Sequence, residues 1–228
     1  MPASTSLPHW DRLLAVVAHP DDESFGLGGV LSAFVASGCQ VDVLCFTRGE
    51  ASTLHGVAGD LSQIREQELR SAADALGAGA VDLRDHPDGR LSDVPLDTLV
   101  AQVAEAAGPR GVDGVVVFAP DGITGHPDHQ RATQAALAYA DSHATPALAW
   151  TLTAEIAAVL ATESGAPFGG RAPELIDITV TVDRTAQREA IGCHSSQALP
   201  GAILWRRLDL QGDEEHLFWL LPPAPTRR

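Results

Sequence analysis

The sequence predicts an α/β protein, a Rossmann-like three-layer sandwich with a mainly parallel sheet and helices on both faces. Two observations predict it. Apolar runs rich in Val, Leu and Ala alternate with segments of helical character almost to the end of the chain, the pattern of strands joined by helical crossovers. Ionisable residues gather immediately after those runs, where open α/β sheets carry their ligands. At 228 residues the chain can bury one large core, and no break in composition divides it. Residues 1–228 therefore read as one domain, with the Pro- and Ser-containing stretch 1–11 as a loosely ordered tail.

Leu13–Ala18 is the first strand, too short and too β-branched for a helix. Ser24–Ser37 follows as a helix stopped at Gly38. Val41–Phe46 is a second strand, and the polar stretch Thr47–Gly59 a loop. Asp60 caps a helix over Leu61–Leu76 that Gly77 ends. Val81–Leu83 is a short strand, Asp85-His86-Pro87-Asp88-Gly89 a turn, and Leu96–Ala106 a helix. Gly114–Ala119 is the clearest strand of all. Ala132–Tyr139 lies within a helix and Ala147–Leu152 is a fifth strand. The alternating pattern of Leu175–Val182 suggests a sheet edge. Thr185–Cys193 is a helix and His216–Leu221 a last strand.

Composition excludes several functions. A net charge of −15 argues against nucleic acid and against an anionic membrane surface. No apolar run reaches the roughly 20 residues of a membrane span, and the N-terminus lacks the order of a signal peptide, so a cytoplasmic location is expected. All 15 basic residues are Arg, which rules out Schiff-base and P-loop lysine chemistry. The three cysteines are widely spaced with no CxxC pair, which predicts reduced thiols and no zinc finger. Gly26-Leu27-Gly28-Gly29 lacks the spacing of a dinucleotide site.

The chemistry concentrates in two turns. Ala18-His19-Pro20-Asp21-Asp22-Glu23 follows the first strand, and His126-Pro127-Asp128-His129 follows Gly114–Ala119 at a similar place. Pro at the first helical position is tolerated because its missing N–H would be unpaired there, so His19 and His126 are expected at N-caps. Asp22 and His129 then sit three residues on, each beside its partner on the first turn. Should the two strands be neighbours at the switch point, two imidazoles and a carboxylate converge on one crevice. That donor set suits Zn²⁺ and leaves a position open for water; Fe²⁺, Co²⁺ and Ni²⁺ are also accommodated. Asp21, adjacent to Asp22, points elsewhere and can face that water.

On these two turns the sequence resembles the LmbE / PIG-L family of zinc-dependent deacetylases, which act mostly on N-acetylglucosaminyl compounds. The resemblance spans nearly the whole chain and includes Thr47-Arg48-Gly49-Glu50, Arg65 with Glu68, Pro87-Asp88-Gly89 with Leu91, and His194-Ser195-Ser196-Gln197. It implies His19, Asp22 and His129 as metal ligands and Asp21 as the general base for the metal-bound water. It implies His126 as the protonated group that stabilises the oxyanion, and Asp128 as a residue that orients a histidine. Arg65 resembles a family arginine that contacts the sugar. A tyrosine that some members carry before the second turn is replaced here by Ile123-Thr124-Gly125.

Arg48 is a second candidate for substrate, with an ion pair to Glu50 as the structural alternative. His86 belongs to an ordinary turn. His194 caps a helix end or touches the site. Trp205, Phe218 and Trp219 cover the core or form a subunit contact, so a homo-oligomer is left open. The expected activity is removal of an N-acetyl group from a small amino sugar or its conjugate. Its rivals are an amidase for mycothiol-type thiol conjugates and a non-catalytic ligand-binding module whose histidines only cap helices.

Overall fold

Among the described residues, seven strands form one sheet: β1 (Arg12–Val17), β2 (Gln40–Thr47), β3 (Val81–His86), β4 (Gly114–Phe118), β5 (Ala147–Thr151), β6 (Ile178–Thr181) and β7 (Glu214–Leu221). They lie in the order β3-β2-β1-β4-β5-β7-β6. β7 runs antiparallel to both of its neighbours, and the other pairs are parallel. The computed structural model describes residues 3–53 and 57–224; Leu54, His55 and Gly56 of the expected loop lie outside the described residues.

The chain leaves β1 toward β2 and β3, then returns across the sheet to β4 on the other side of β1. Leu13 pairs with Gly114 and Ala15 with Val116, so β1 and β4 are direct neighbours. The crevice at their carboxyl ends is the switch point where such sheets bind ligands. β1 is central, and Leu13, Leu14, Ala15, Val16 and Val17 are all buried, because helices cover both faces.

Among the described residues, eight α-helices surround the sheet: α1 (Gly28–Ala36), α2 (Leu61–Leu76), α3 (Leu96–Ala107), the four-residue α4 (Gly122–Gly125), α5 (Pro127–Ser142), α6 (Ala154–Ser164), α7 (Thr185–Cys193) and α8 (Ile203–Gln211). α2 has the bounds its signals predict: Asp60 accepts the Ser62 N–H at 3.1 Å, and Gly77 ends it at φ +75°. No helix among the described residues is long and apolar enough to cross a membrane.

Several expectations need correction. The helix expected over Ser24–Ser37 is two pieces, a π-helical turn at Asp22–Gly26 and then α1. β3 runs through Asp85 and His86, which read as part of a turn. The edge strand is confined to Ile178–Thr181, preceded by a 3₁₀ turn at Pro173–Leu175. α6 and α8 have no counterpart among the expected elements, although Thr153 caps α6 by accepting the Ile156 N–H at 3.2 Å and Gly165 closes it at φ +75°.

The described part of the N-terminal stretch is packed rather than loose. Ser4 exchanges backbone hydrogen bonds with Asp177 and Thr179. Trp10 stacks on Phe34 at 5.3 Å between centroids and lies over Gly114, where a Cβ would fall 2.3 Å from the indole.

Candidate metal centre

The first turn is built around a strained residue. Asp21 has φ +106° and ψ −27°, a region that non-glycine residues seldom occupy. Three contacts hold it there. Its N–H donates to Glu23 Oε2 at 2.8 Å, and its carbonyl accepts from the N–H groups of Ser24 and Phe25 at 3.1 and 2.7 Å. The reversal sends the two adjacent carboxylates apart. Asp22 folds back, its Oδ2 accepting the N–H groups of Ala18 and His19 at 3.2 and 2.9 Å. Asp21 faces Arg65, whose Nη2 is 2.9 Å from Asp21 Oδ2.

The second turn follows β4. His126 is the N-cap of α5, its Nδ1 accepting the Asp128 N–H at 3.2 Å, with Pro127 next. This cap is as expected; the parallel one is not. The first turn has Asp21 at the cap position, so the ring of His19 caps nothing and is free for other partners.

Those partners are the other two expected ligands. His19 Nδ1 lies 3.2 Å from His129 Nε2 and 3.6 Å from Asp22 Oδ2. His129 Nε2 lies 3.1 Å from Asp22 Oδ1. Tetrahedral ligands about 2.0–2.1 Å from zinc would stand about 3.3 Å from one another, so these donors have the separations one ion requires. The proton inventory agrees. His19 Nε2 donates toward Asp88 Oδ1 at 3.0 Å and Asp128 Oδ2 at 3.4 Å, and His129 Nδ1 donates to the Gly122 carbonyl at 3.0 Å. Were both rings neutral, the facing nitrogens would carry lone pairs 3.2 Å apart, an arrangement that a shared cation would relieve; against the effect of burial, the neighbouring carboxylates, Asp22 among them, raise both imidazoles above their ordinary value.

Asp128 is fully buried and accepts the N–H groups of Gly89 and Leu91 at 2.8 and 3.0 Å. It thereby ties the loop after β3 to His19. Asp88, read from sequence only as a turn residue, bonds the same imidazole nitrogen and accepts the Ala51 N–H at 2.9 Å. His126 packs against both rings, its centroid 4.7 Å from that of His19 and 4.8 Å from that of His129, and one of its ring nitrogens lies within 4.8 Å of the donor nitrogens of both.

The local field separates the two neighbouring carboxylates. Burial raises Asp21 to about 6, with Asp22 and Glu23 adding to the rise while Arg65 and His194 oppose it. Burial alone would also raise Asp22, but His129 and His19 outweigh it and hold that carboxyl well below the usual range. Burial, aided by the neighbouring imidazoles His19 and His129, lowers His126.

The two arginines read as substrate contacts have protein partners instead. Arg65 is buried; Nη1 donates to the Gly49 carbonyl at 2.6 Å, and Nη2 to Asp21 and the Pro20 carbonyl. Arg48 pairs with Glu66 and, at 2.9 Å, with Asp85. Glu50, its expected partner, accepts the Asp88 N–H at 2.9 Å. His86 bonds Gln102 Oε1 at 2.8 Å, in keeping with its structural reading.

Sequence reasoning left one group of residues under-read. His194, fully buried, meets Glu23 Oε1 at 2.6 Å, and Glu23 in turn holds the Asp21 N–H. Glu68 secures the segment after His194, accepting from the hydroxyls of Ser195 and Ser196 at 2.9 and 2.6 Å. The signal was the unbroken run of acids Asp21-Asp22-Glu23 on a buried turn, which needs cations or donors from elsewhere in the chain.

A family model described as GlcNAc-PI de-N-acetylase, PIG-L, matches residues 14–140, more than half of the chain and both turns. The chain belongs to the PIG-L family. Among its relatives, the 1D-myo-inositol 2-acetamido-2-deoxy-alpha-D-glucopyranoside deacetylase of Rhodococcus jostii is 32% identical, with 82% of this chain and 81% of that one covered. The deacetylase of the same name from Mycolicibacterium vanbaalenii is also 32% identical, covering 82% and 80%. The PIG-L fold extends over the chain: the crystal structure of teicoplanin deacetylase in its zinc-inhibited form superposes with a TM-score of 0.67 at 21% identity, covering 95% of this chain and all of that one.

Proposed function

We propose that this protein is a metal-dependent amidohydrolase that removes the acetyl group from the nitrogen of an N-acetylglucosamine-type conjugate, with zinc as its ion. The observation that carries the reading is the trio His19 Nδ1, Asp22 and His129 Nε2, 3.1–3.6 Å apart, beside a separately oriented carboxylate, Asp21. The names of the relatives agree with it: they are deacetylases of a glucosaminyl inositol. Two imidazole nitrogens and a carboxylate suit zinc, and the same donors accept Fe²⁺, Co²⁺ or Ni²⁺. The alternative of a binding module with histidines as mere caps is disfavoured, because of the two expected caps only His126 caps a helix, while the ring of His19 faces Asp22 and His129 instead.

His19, Asp22 and His129 would hold the zinc, which would supply Lewis acidity for the amide carbonyl and lower the pKa of water to about 7. Asp21 accepts the proton of the attacking water; a pKa of about 6 leaves it ionised at neutral pH and still basic enough to take that proton. Arg65 is a positioning residue, fixing the Asp21 carboxylate through its Nη2 at 2.9 Å. His126 offers its Nε2–H: Nδ1 is occupied by the Asp128 N–H, so the neutral ring carries its proton on Nε2 and donates to the oxyanion without first being protonated. Asp21 then returns its proton to the departing nitrogen. Asp128 and Asp88 hold the ring of His19 in its tautomer.

The test is acetate release from N-acetylglucosaminyl inositol and from N-acetylglucosamine by the zinc-loaded protein. Hydrolysis should stop on chelation and return with zinc. A protein that holds stoichiometric zinc yet releases no acetate from either compound would overturn the reading.

A further inference from the structure

A cavity of about 210 Å³ opens beside the trio, with Asp21, Asp22 and His129 on its lining. The rest of the lining is mostly apolar, led by Phe118, Ile123, Trp150, Phe168 and Leu204, with Thr124 and the buried Arg207 as its polar members. His19, His126 and Asp128 are not part of it. Two features indicate that these apolar side chains are held in place at a cost. Ile123 is β-branched, yet sits at φ +64°, between Gly122 and Gly125, which take positive φ freely. A third glycine would have fitted this backbone more easily, so the isoleucine side chain serves the cavity. Gly26 lets the Phe118 ring lie where a Cβ would stand 2.3 Å from it.

Size bounds the occupant from both sides. A dry cavity of about 150 Å³ takes benzene, so this one is far larger than a methyl group needs. Pockets for whole drug-sized ligands begin near 300 Å³, so it is too small for a glycoconjugate. It holds one substituent of the substrate. The carbonyl carbon of the scissile amide bears an oxygen, a nitrogen and a carbon substituent. The oxygen and the departing nitrogen belong with the trio and His126, which leaves the carbon substituent for the cavity.

We propose that the cavity is the acyl subsite and that it selects apolar acyl groups larger than acetyl, of the bulk of hexanoyl or benzoyl. The inference rests on the deacetylase reading above and extends it from acetyl to longer acyl groups, a broader deacylation. Cleavage follows the same balance: water adds its oxygen to the carbonyl carbon, the C–N bond breaks, and the products are the longer carboxylic acid and the free amine.

The experiment compares N-acetyl-, N-butyryl- and N-hexanoylglucosamine with the zinc-loaded full chain. It also compares the binding of acetohydroxamate and hexanohydroxamate to the same protein by calorimetry. Burial of each added methylene should raise kcat/KM about fourfold over the first few, with hexanohydroxamate binding more tightly than acetohydroxamate. Leu204→Trp should reduce the hexanoyl-to-acetyl ratio and the hydroxamate ratio together. Hydrolysis of the acetyl compound with a hexanoyl-to-acetyl ratio of one or less would overturn the acyl subsite and leave deacylation standing. Hydrolysis of none of the three would overturn deacylation, and equal affinity for the two hydroxamates would then overturn the cavity's selectivity as well.

Discussion

Arg65 Nη2 lies 2.9 Å from Asp21 Oδ2 and also donates to the Pro20 carbonyl, so one guanidinium fixes both a carboxylate and the turn that presents it. Gly49 makes room for this: at φ +64°, a Cβ there would fall 1.9 Å from Arg65 Nη1. The arginine also opposes the rise that burial imposes on Asp21.

Removing that positive charge makes ionisation of Asp21 harder, so its pKa moves up from about 6. A general base works only when deprotonated, and the acid limb of the pH–rate profile must move the same way. Arg65→Met is therefore expected to shift the acid limb of kcat/KM to higher pH, and Arg65→Lys, which keeps the charge but not the fork, to shift it less. Profiles from about pH 5 to 9 check this. An unmoved limb in both variants would mean that Arg65 does not act through Asp21.

The two adjacent aspartates should part company under mutation. Asp21→Asn keeps the shape of the turn and removes the proton acceptor, which is worth about 10²–10⁴ in rate, while zinc content stays near that of the wild type. Asp22→Ala removes a member of the trio as well as the acceptor of the Ala18 and His19 N–H groups, so metal and turnover should be lost together. Metal analysis alongside kcat for each variant decides it. Near-normal turnover in Asp21→Asn would reassign the base.

The fold was largely legible because its signals are local. Val and Leu runs, Asp60 and Gly77 define β1, β2, β4 and α2 without reference to the rest of the chain. The neighbouring positions of β1 and β4 enter from the sequence only as a condition; the sheet order supplies them and brings the two turns together. What escaped was what long-range contacts decide. Arg65 reads from the sequence as a sugar-contacting cation, but it is buried and its partner Asp21 lies 44 residues away in sequence. Asp88 carries an ordinary turn signal, and only the packing of the β3 loop on His19 gives it a further contact. The π-helical turn at Asp22–Gly26 is equally non-local, since the contacts of Asp21 with Glu23 and Arg65 outweigh the helical pattern of the residues that follow.

Asp88 and Asp128 both accept from His19 Nε2, and carboxylates in that place orient a metal-binding imidazole and raise its basicity. Asp88→Asn should weaken zinc binding by about 10–100-fold, as read from competition with a chromogenic chelator. Asp128→Asn should also loosen the loop at Gly89 and Leu91, because it holds both N–H groups. Zinc affinity unchanged in both variants would remove His19 from the ligand set.

His194 and Glu23 give the fold a pH dependence of definite sign. Burial would lower the imidazole, but Glu23, Asp21 and Glu68 outweigh it, and the folded-state pKa stands above 6.5. A group raised on folding lends stability that is fully present below its unfolded value and lost as the pH climbs through its folded one. His194→Gln should therefore destabilise the metal-stripped protein by about 1–3 kcal/mol near pH 6, and the gap from the wild type should narrow as the pH rises past the raised value. Denaturant melts of both proteins across that range, with chelator present throughout, measure the gap. If it stays constant from acid to alkaline pH, His194 contributes packing and hydrogen bonding but no charge.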